Sequence, residues 1–149
     1  LVIVVYIPLF FHAFFGIRLI FESSIQSSYT YFSHLLYWLQ RISGIGVLLF
    51  IIAHVWNTQL GPWLVGTWGT HFEHLSSGFA DPESGIITKS VYLLGVLGAV
   101  FHFANGLNTF SMTWGIALTP KSQVRVRILS ILLFIILSAS ALYALSAIW

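Results

Sequence analysis

Four long apolar stretches constrain the fold of this 149-residue chain more than any other feature. A helix needs about 20 apolar residues to cross the hydrocarbon core of a bilayer. The stretches that qualify are residues 1–21, 33–56, 90–113 and 128–149. Only 7% of the residues are charged, against roughly 25% in an ordinary soluble domain. The sequence therefore predicts an all-α membrane protein whose four transmembrane helices form one domain over residues 1–149.

The composition also limits the chemistry that the chain can perform. The net charge of +2 is too small to form a basic stripe, which argues against nucleic acid as a partner. Cysteine is absent, which excludes thiolate-held iron–sulfur clusters, thioether-attached haem and disulfides in this chain. Six histidines equal the lysines and arginines combined. Imidazole is therefore the main candidate for binding a metal.

The distribution of basic residues predicts the orientation in the membrane. Five of them flank the two short turn regions on one side, and Lys89 alone lies on the other side. Because basic residues are enriched in cytoplasmic loops, the side of the five is predicted to face the cytoplasm. The five are Arg18, Arg41, Lys121, Arg125 and Arg127.

This orientation has consequences for both ends of the bundle. Residues 57–89, rich in Gly and Trp, form the outer loop and are expected to rest on the headgroup layer. The first span then begins outside the cytoplasm, with neither an initiator Met nor a signal peptide before it. We therefore expect one further N-terminal helix in the full-length protein.

Three histidines lie inside the predicted spans, where an ionisable residue usually has a function. At 1.5 Å per residue, His12 lies about 15 Å and His102 about 18 Å from the cytoplasmic boundary, on helices that run in the same direction. These two can face each other at one depth. His54 lies about 30 Å from that boundary, near the outer surface.

Small residues accompany both inner histidines at helical spacing. Gly98 and Gly106 share a helix face with His102, and so does Gly95; Pro8 and Gly16 share one with His12. Residues without bulk beside an imidazole leave room for a flat macrocycle, although glycines also serve close helix packing in membranes. The two matched stripes favour a haem held between His12 and His102. Two axial imidazoles fill both open iron positions, so such a haem carries electrons and binds no oxygen.

The remaining ionisable residues allow more than one interpretation. Arg41, about 12 Å from the cytoplasmic edge, could contact a haem propionate or extend to the headgroups. His34 opens a helix at the inner surface, where solvent or headgroup contact is favoured. His71 and His74 have a spacing that could hold zinc on a helix, but this spacing is common by chance.

Three segments carry a family resemblance. They read LQRISGIGVLLFIIAHVW (residues 39–56), FHFANGL (residues 101–107) and TWGIALTPKSQ (residues 113–123). They resemble the two-haem, single-subunit cytochrome b anchor of succinate:quinone oxidoreductases, the succinate dehydrogenase and fumarate reductase family. The resemblance implies a five-helix bundle with two haems b. In it, His12 and His102 would ligate the inner haem, and His54 the outer haem together with a histidine on the absent first helix.

The resemblance also implies a function and partners. The anchor would carry electrons from a cytoplasmic flavoprotein with FAD, through an iron–sulfur subunit, to a quinone, with menaquinone implied. Its place would be the bacterial cytoplasmic (inner) membrane. We expect the soluble subunits to dock on the inner face, around Arg18 and residues 28–34 and 121–127.

The quinone is expected near His54. Trp56, Asn57 and the stretch from Trp63 to Trp68 would line its pocket, although an aromatic belt at the interface explains each Trp equally well. Related menaquinol-oxidising fumarate reductases carry a glutamate two residues before the third-span ligand, where this chain has Val100. This difference favours succinate oxidation.

Two other functions remain open from the residues. One is the cytochrome b anchor of another respiratory oxidoreductase, of the hydrogenase or formate dehydrogenase type. The other is a haem-free transporter that uses the histidines as proton relays, which would require acidic or polar partners within the spans.

Overall fold

The computed structural model describes residues 2–22, 31–66, 71–147 and 149, and within these residues the chain is helical and has no strand. Four helices are long and apolar enough to cross a membrane. This confirms the predicted all-α fold with four transmembrane helices. The four are α1 (Val2–Glu22), α2 (Tyr31–Val55), α5 (Gly85–Thr113) and α6 (Pro120–Ser146).

The outer segment is more ordered than the predicted loop. α2 continues without a break into a π-helical turn (Trp56–Leu60) and then into α3 (Gly61–Val65). α3 ends where Gly66 takes a left-handed φ of 72°, a conformation that favours glycine. A separate helix, α4 (His71–Ala80), precedes α5. Most of the described part of residues 57–89 is therefore helical.

A carboxylate closes the turn between α4 and α5. Asp81 Oδ1 accepts hydrogen bonds from the backbone N–H groups of Ser84 (2.7 Å) and Glu83 (2.9 Å), and from the Ser84 hydroxyl (3.0 Å). These bonds, that of the Ser84 backbone first, hold the pKa of Asp81 below its ordinary value. The backbone N–H of Gly85 donates to the carbonyl oxygen of Asp81 (2.9 Å), and α5 begins at Gly85 rather than at residue 90, where the apolar stretch starts.

A capping box sets the start of α6. The Thr119 side chain accepts a hydrogen bond from the backbone N–H of Ser122 (3.2 Å), and the Ser122 hydroxyl accepts one from the N–H of Thr119 (3.0 Å). Pro120 follows at the first helical position, where its missing N–H is harmless. α6 therefore begins at Pro120, before the predicted start at residue 128. Its first two turns carry Lys121, Arg125 and Arg127.

α5 is the central helix of the bundle. It packs against α2 on one side and α6 on the other, while α1 packs against α2. At the outer end, Tyr92 of α5 is buried against Phe50 of α2, Phe79 of α4 and Leu145 of α6. Most other large apolar side chains face outward, α1 most of all. Such an outward-facing apolar surface suits lipid rather than water.

Gly95 allows the close approach of α2 and α5. A Cβ placed there would overlap the Phe50 ring, whereas a Cβ at Gly46 would meet nothing within 4 Å. We expect Gly95→Ala to destabilise the bundle by about 1–3 kcal/mol, the usual cost of overpacking. Gly46→Ala, the matched control, should be neutral or slightly stabilising, because alanine favours helix. Denaturation in mixed detergent micelles measures both, and equal stability of the two variants would show that the contact is not tight.

Candidate functional site

The structure brings together the two histidines that were predicted to share a depth. The rings of His12 on α1 and His102 on α5 have their centres 6.2 Å apart, with their planes at 78°. His12 is exposed and His102 is half-buried against α2. The pair is therefore more accessible on its α1 side, where His12 lies, than on its α2 side.

This pair fits the requirements of a haem. An iron bound by two imidazoles from opposite sides separates the ring centres by roughly 6 Å, since each metal–nitrogen bond is about 2 Å long and each ring centre lies about 1 Å behind its nitrogen. Within the described residues, no three metal-binding side chains converge. Two imidazoles alone therefore suit a metal that brings its own equatorial ligands, as haem iron does.

The glycines near the pair fall into two groups. A Cβ at Gly16 or Gly98 would meet nothing within 4 Å, so open space lies beside both helices there. A Cβ at Gly106 would lie 3.4 Å from Gln40 Nε2, which places this glycine against α2. Contact of the three with haem stays a prediction.

The position of the His102 ring is set by α2. Its Nδ1 lies 3.2 Å from the backbone carbonyl of Gln40 and 3.3 Å from the Ser43 hydroxyl. A ring that donates Nδ1–H to this carbonyl keeps the lone pair on Nε2, the atom available to a metal. Gly44 admits the ring, because a Cβ there would lie only 3.0 Å from His102 Cε1.

The Gln40 side chain continues the same contact between α2 and α5. Its Nε2 donates to the carbonyl oxygen of His102 (3.1 Å) and lies 3.2 Å from His102 Nδ1, and its Oε1 accepts from Asn105 Nδ2 (2.7 Å). Gln40, Ser43 and Asn105 were not predicted from the sequence. A signal was present, because Gln40, Ser43 and Gly44 have the spacing i, i+3, i+4, as do the three residues at 102, 105 and 106.

Arg41 of α2 lies beside the C-terminal end of α1. Its guanidinium donates to the backbone carbonyls of Leu19 (3.2 Å) and Ile20 (3.4 Å) and lies 4.2 Å from the centre of the Tyr37 ring. A cation at a helix C-terminus is favoured by the helix dipole. This role was not anticipated from the sequence, and the predicted propionate contact stays a prediction.

His54 occupies a second level, toward the other end of α2. Its ring stacks on Phe50 at 5.8 Å between centres and meets Tyr92 edge to face at 6.1 Å. The Tyr92 hydroxyl is buried and has no hydrogen-bond partner among the described residues. The predicted quinone residues Trp56, Asn57 and Trp63 follow His54 along the chain and are exposed; Trp68 lies outside the described residues.

The other histidines stand apart from these two levels. His34 Nε2 accepts a hydrogen bond from Trp38 Nε1 (3.1 Å), one turn further along α2. His71 and His74 lie on α4, but the structure does not describe their side chains. The zinc hypothesis for these two stays open.

A cavity of about 160 Å³ lies on the α6 side of α5. Asn108 and Ser130 line it and are both buried, and Asn108 Oδ1 has no partner in the described part of the chain. From the sequence, the spans were expected to hold almost no acidic or polar partners for the histidines, which argued against a transporter. Asn108 and Ser130, together with Gln40 and Asn105, correct that view.

The spans and the facing imidazoles define a helical membrane protein of the kind that can hold a haem between its helices. Residues 26–142 match the model of the succinate dehydrogenase/fumarate reductase transmembrane subunits, and the chain belongs to this family. It is 32% identical over 147 residues to the succinate dehydrogenase cytochrome b558 subunit of Bacillus subtilis (strain 168). That alignment covers 98% of this chain and 70% of the relative. No solved structure gave a significant match.

Proposed function

We propose that this membrane subunit carries electrons from a cytoplasmic succinate dehydrogenase to a quinone through haem b, with His12 and His102 as the axial ligands of the inner haem. The observation that carries the proposal is the facing pair of imidazoles 6.2 Å apart on two spans. The name of the Bacillus relative, a cytochrome b558 subunit, supports haem b as the cofactor. The same relative supports the bacterial cytoplasmic membrane as the location.

Bound haem would supply a one-electron carrier, and the residues of the chain would hold it. His12 and His102 would bind the iron, and the α2 carbonyl at Gln40 would orient the second ring. Gly16 and Gly98 would leave room for the macrocycle. The apolar spans would exclude water, which keeps the carrier in a low-dielectric environment.

His54 would ligate a second, outer haem. In the described residues its ring neighbours include Phe50 and Tyr92, so the opposite axial ligand would come from elsewhere. Gly44, which contacts His102, and His54 are ten residues apart on α2, a rise of about 15 Å. Two carriers at these levels would conduct electrons from the inner face to the outer one.

A quinone, menaquinone on the family resemblance, would accept the electrons near His54. The buried Tyr92 hydroxyl supports this placement, because an unpartnered donor in apolar surroundings is costly unless a ligand uses it. Trp56, Asn57 and Trp63 would flank the site. Electrons that move outward travel toward the positive side of the membrane, which contributes about 2.3 kcal/mol per charge per 100 mV. This contribution would help succinate reduce a weakly oxidising quinone.

The flavoprotein and the iron–sulfur subunit would dock on the inner face. Lys121 and Arg125 are exposed on the first turns of α6, and Arg18 forms an exposed ion pair with Glu22 (2.6 Å). This basic rim suits an acidic surface on the iron–sulfur subunit. Electrons would then enter through the haem held by His12 and His102, which is the nearer of the two haems to this face.

Replacement of either His12 or His102 by Ala should remove the spectrum of one low-spin haem b, while the helices still insert. His34→Ala is the control, because that ring bonds to Trp38 within its own helix. Reduced-minus-oxidised spectra of the purified complex measure the loss. An unchanged spectrum in both single variants would contradict the proposed ligands.

Tyr92→Phe should raise the KM for quinone several-fold, since a hydrogen bond contributes about 0.5–1.5 kcal/mol. Tyr143→Phe is the matched control, because Tyr143 is 81% exposed at the same end of the bundle. Quinone titrations of the intact complex give both values. If Tyr92→Phe only stabilises the protein and leaves KM unchanged, the hydroxyl does not contact quinone.

The double charge reversal Lys121→Glu/Arg125→Glu should reduce co-purification of the soluble subunits several-fold, because it opposes an acidic partner. Lys89→Glu, on the opposite side of the membrane, is the control. Affinity purification at two salt concentrations measures the recovery of the subunits. Equal loss for the reversal and the control would place the docking surface elsewhere.

A further inference from the structure

Two triplets of residues face each other where α2 meets α5. Gln40, Ser43 and Gly44 lie at i, i+3 and i+4 on α2, and His102, Asn105 and Gly106 have the same spacing on α5. Each triplet therefore occupies a single helix face. We call these six residues the α2–α5 clamp.

The clamp combines close approach with hydrogen bonds. Gly44 leaves space for the His102 ring, because a Cβ there would lie 3.0 Å from the ring. Gly106 leaves space for the Gln40 amide, because a Cβ there would lie 3.4 Å from its nitrogen. The amide then contacts three points of α5: the carbonyl oxygen of His102, the Nδ1 atom of its ring, and the side chain of Asn105. All three contacts are partly buried, where a polar group left without a partner is costly.

We infer that Gln40 is a positioning residue for His102: it fixes the register of α5 against α2 and thereby holds the Nδ1 side of the ring on α2. The inference rests on the proposed role of His102 as a haem ligand. It assigns a function to Gln40 and Asn105. Neither the sequence motifs that contain these residues nor membership of the family assigns one.

The direction of the His102 ring depends on its contacts with Gln40. Nδ1 lies 3.2 Å from the Gln40 carbonyl and 3.2 Å from Gln40 Nε2, and in the tautomer that carries the proton on Nδ1 the ring can donate to this carbonyl only while the two helices keep this register. The Gln40 side chain secures that register by binding the backbone of the same histidine. With Nδ1–H engaged, Nε2 keeps its lone pair for a metal. Loss of the side chain would leave the carbonyl in place but would free the helices to shift.

The test compares three variants in the intact complex. Gln40→Leu removes all three amide contacts at similar side-chain volume. Gly95→Ala loosens the same helix pair through Phe50 without touching His102, and Gln59→Leu makes the same chemical change at an exposed position. The measurements are the electron paramagnetic resonance spectrum of the oxidised haem and the rate of haem transfer to an excess of apomyoglobin.

We expect Gln40→Leu to shift the resonance of the inner haem and to weaken its retention by about 10–100-fold, the usual effect of losing a partner of a metal-binding histidine. Both controls should keep the wild-type resonance. Asn105→Leu should give a smaller shift in the same direction, because Gln40 keeps its contacts with His102. The double variant should add little to Gln40→Leu alone, because the bond to Asn105 is already lost in that variant.

Two different failures are distinguishable. If His102→Ala removes the inner haem but Gln40→Leu leaves its resonance and retention unchanged, the inference is wrong and the proposed ligand stands. If His102→Ala leaves every haem in place, the proposed ligand itself is wrong. If Gln40→Leu does not accumulate, Asn105→Leu decides: a shifted resonance supports the inference, and a wild-type one overturns it. A Gly95→Ala spectrum equal to that of Gln40→Leu also overturns it, since general loosening would then be sufficient.

Discussion

Close contact between α2 and α5 is the interaction on which the rest of this structure depends. In a bilayer the hydrophobic effect does not drive helices together, so packing and polar contacts must do so. Here small residues supply the packing, at Gly44, Gly95 and Gly106. The amide pair of Gln40 and Asn105 supplies the polar contact, at 2.7 Å. Among these contacts, those of Gln40 and of Gly44 involve His102 itself, whereas Gly95 lies against Phe50.

The glycines of the chain therefore perform two distinct functions, although they look alike in sequence. The space beside Gly44, Gly95 and Gly106 is occupied by a side chain from the neighbouring helix, so these glycines allow the helices to pack closely. Gly16 and Gly98 face open space on either side of the histidine pair. Close packing and room for a ligand were alternative interpretations of one glycine stripe. The structure assigns packing to some members of that stripe and leaves others open to a ligand.

Much of the fold could be predicted because helix geometry is rigid. A constant rise per residue placed His12 and His102 at one depth, and their rings do lie together. Apolar windows could not locate the starts of α5 and α6. The Asp81 turn leads directly into α5, and the capping box at Thr119 starts α6, both before the apolar stretch begins. Gln40 escaped notice for a different reason. A long polar side chain in a span can turn toward lipid, a headgroup or a neighbouring helix, and only the tertiary contact with α5 decides which.

α2 and α5 contribute residues to both levels of the candidate site. The register of these two helices therefore determines how far apart those residues lie. α2 carries Gln40 and, fourteen residues later, His54; α5 carries Tyr92 and, ten residues later, His102. Because α2 and α5 run in opposite directions, the Gln40 end of α2 meets His102 while its His54 end meets Tyr92. The register fixed at the inner level therefore also fixes which residues meet at the outer one. A shift of one helical turn, about 5.4 Å, would displace His54 from Tyr92 as well as His102 from its carbonyl. The separation of His54 from His102 along the bundle is thus set by the register of one helix pair, α2 and α5.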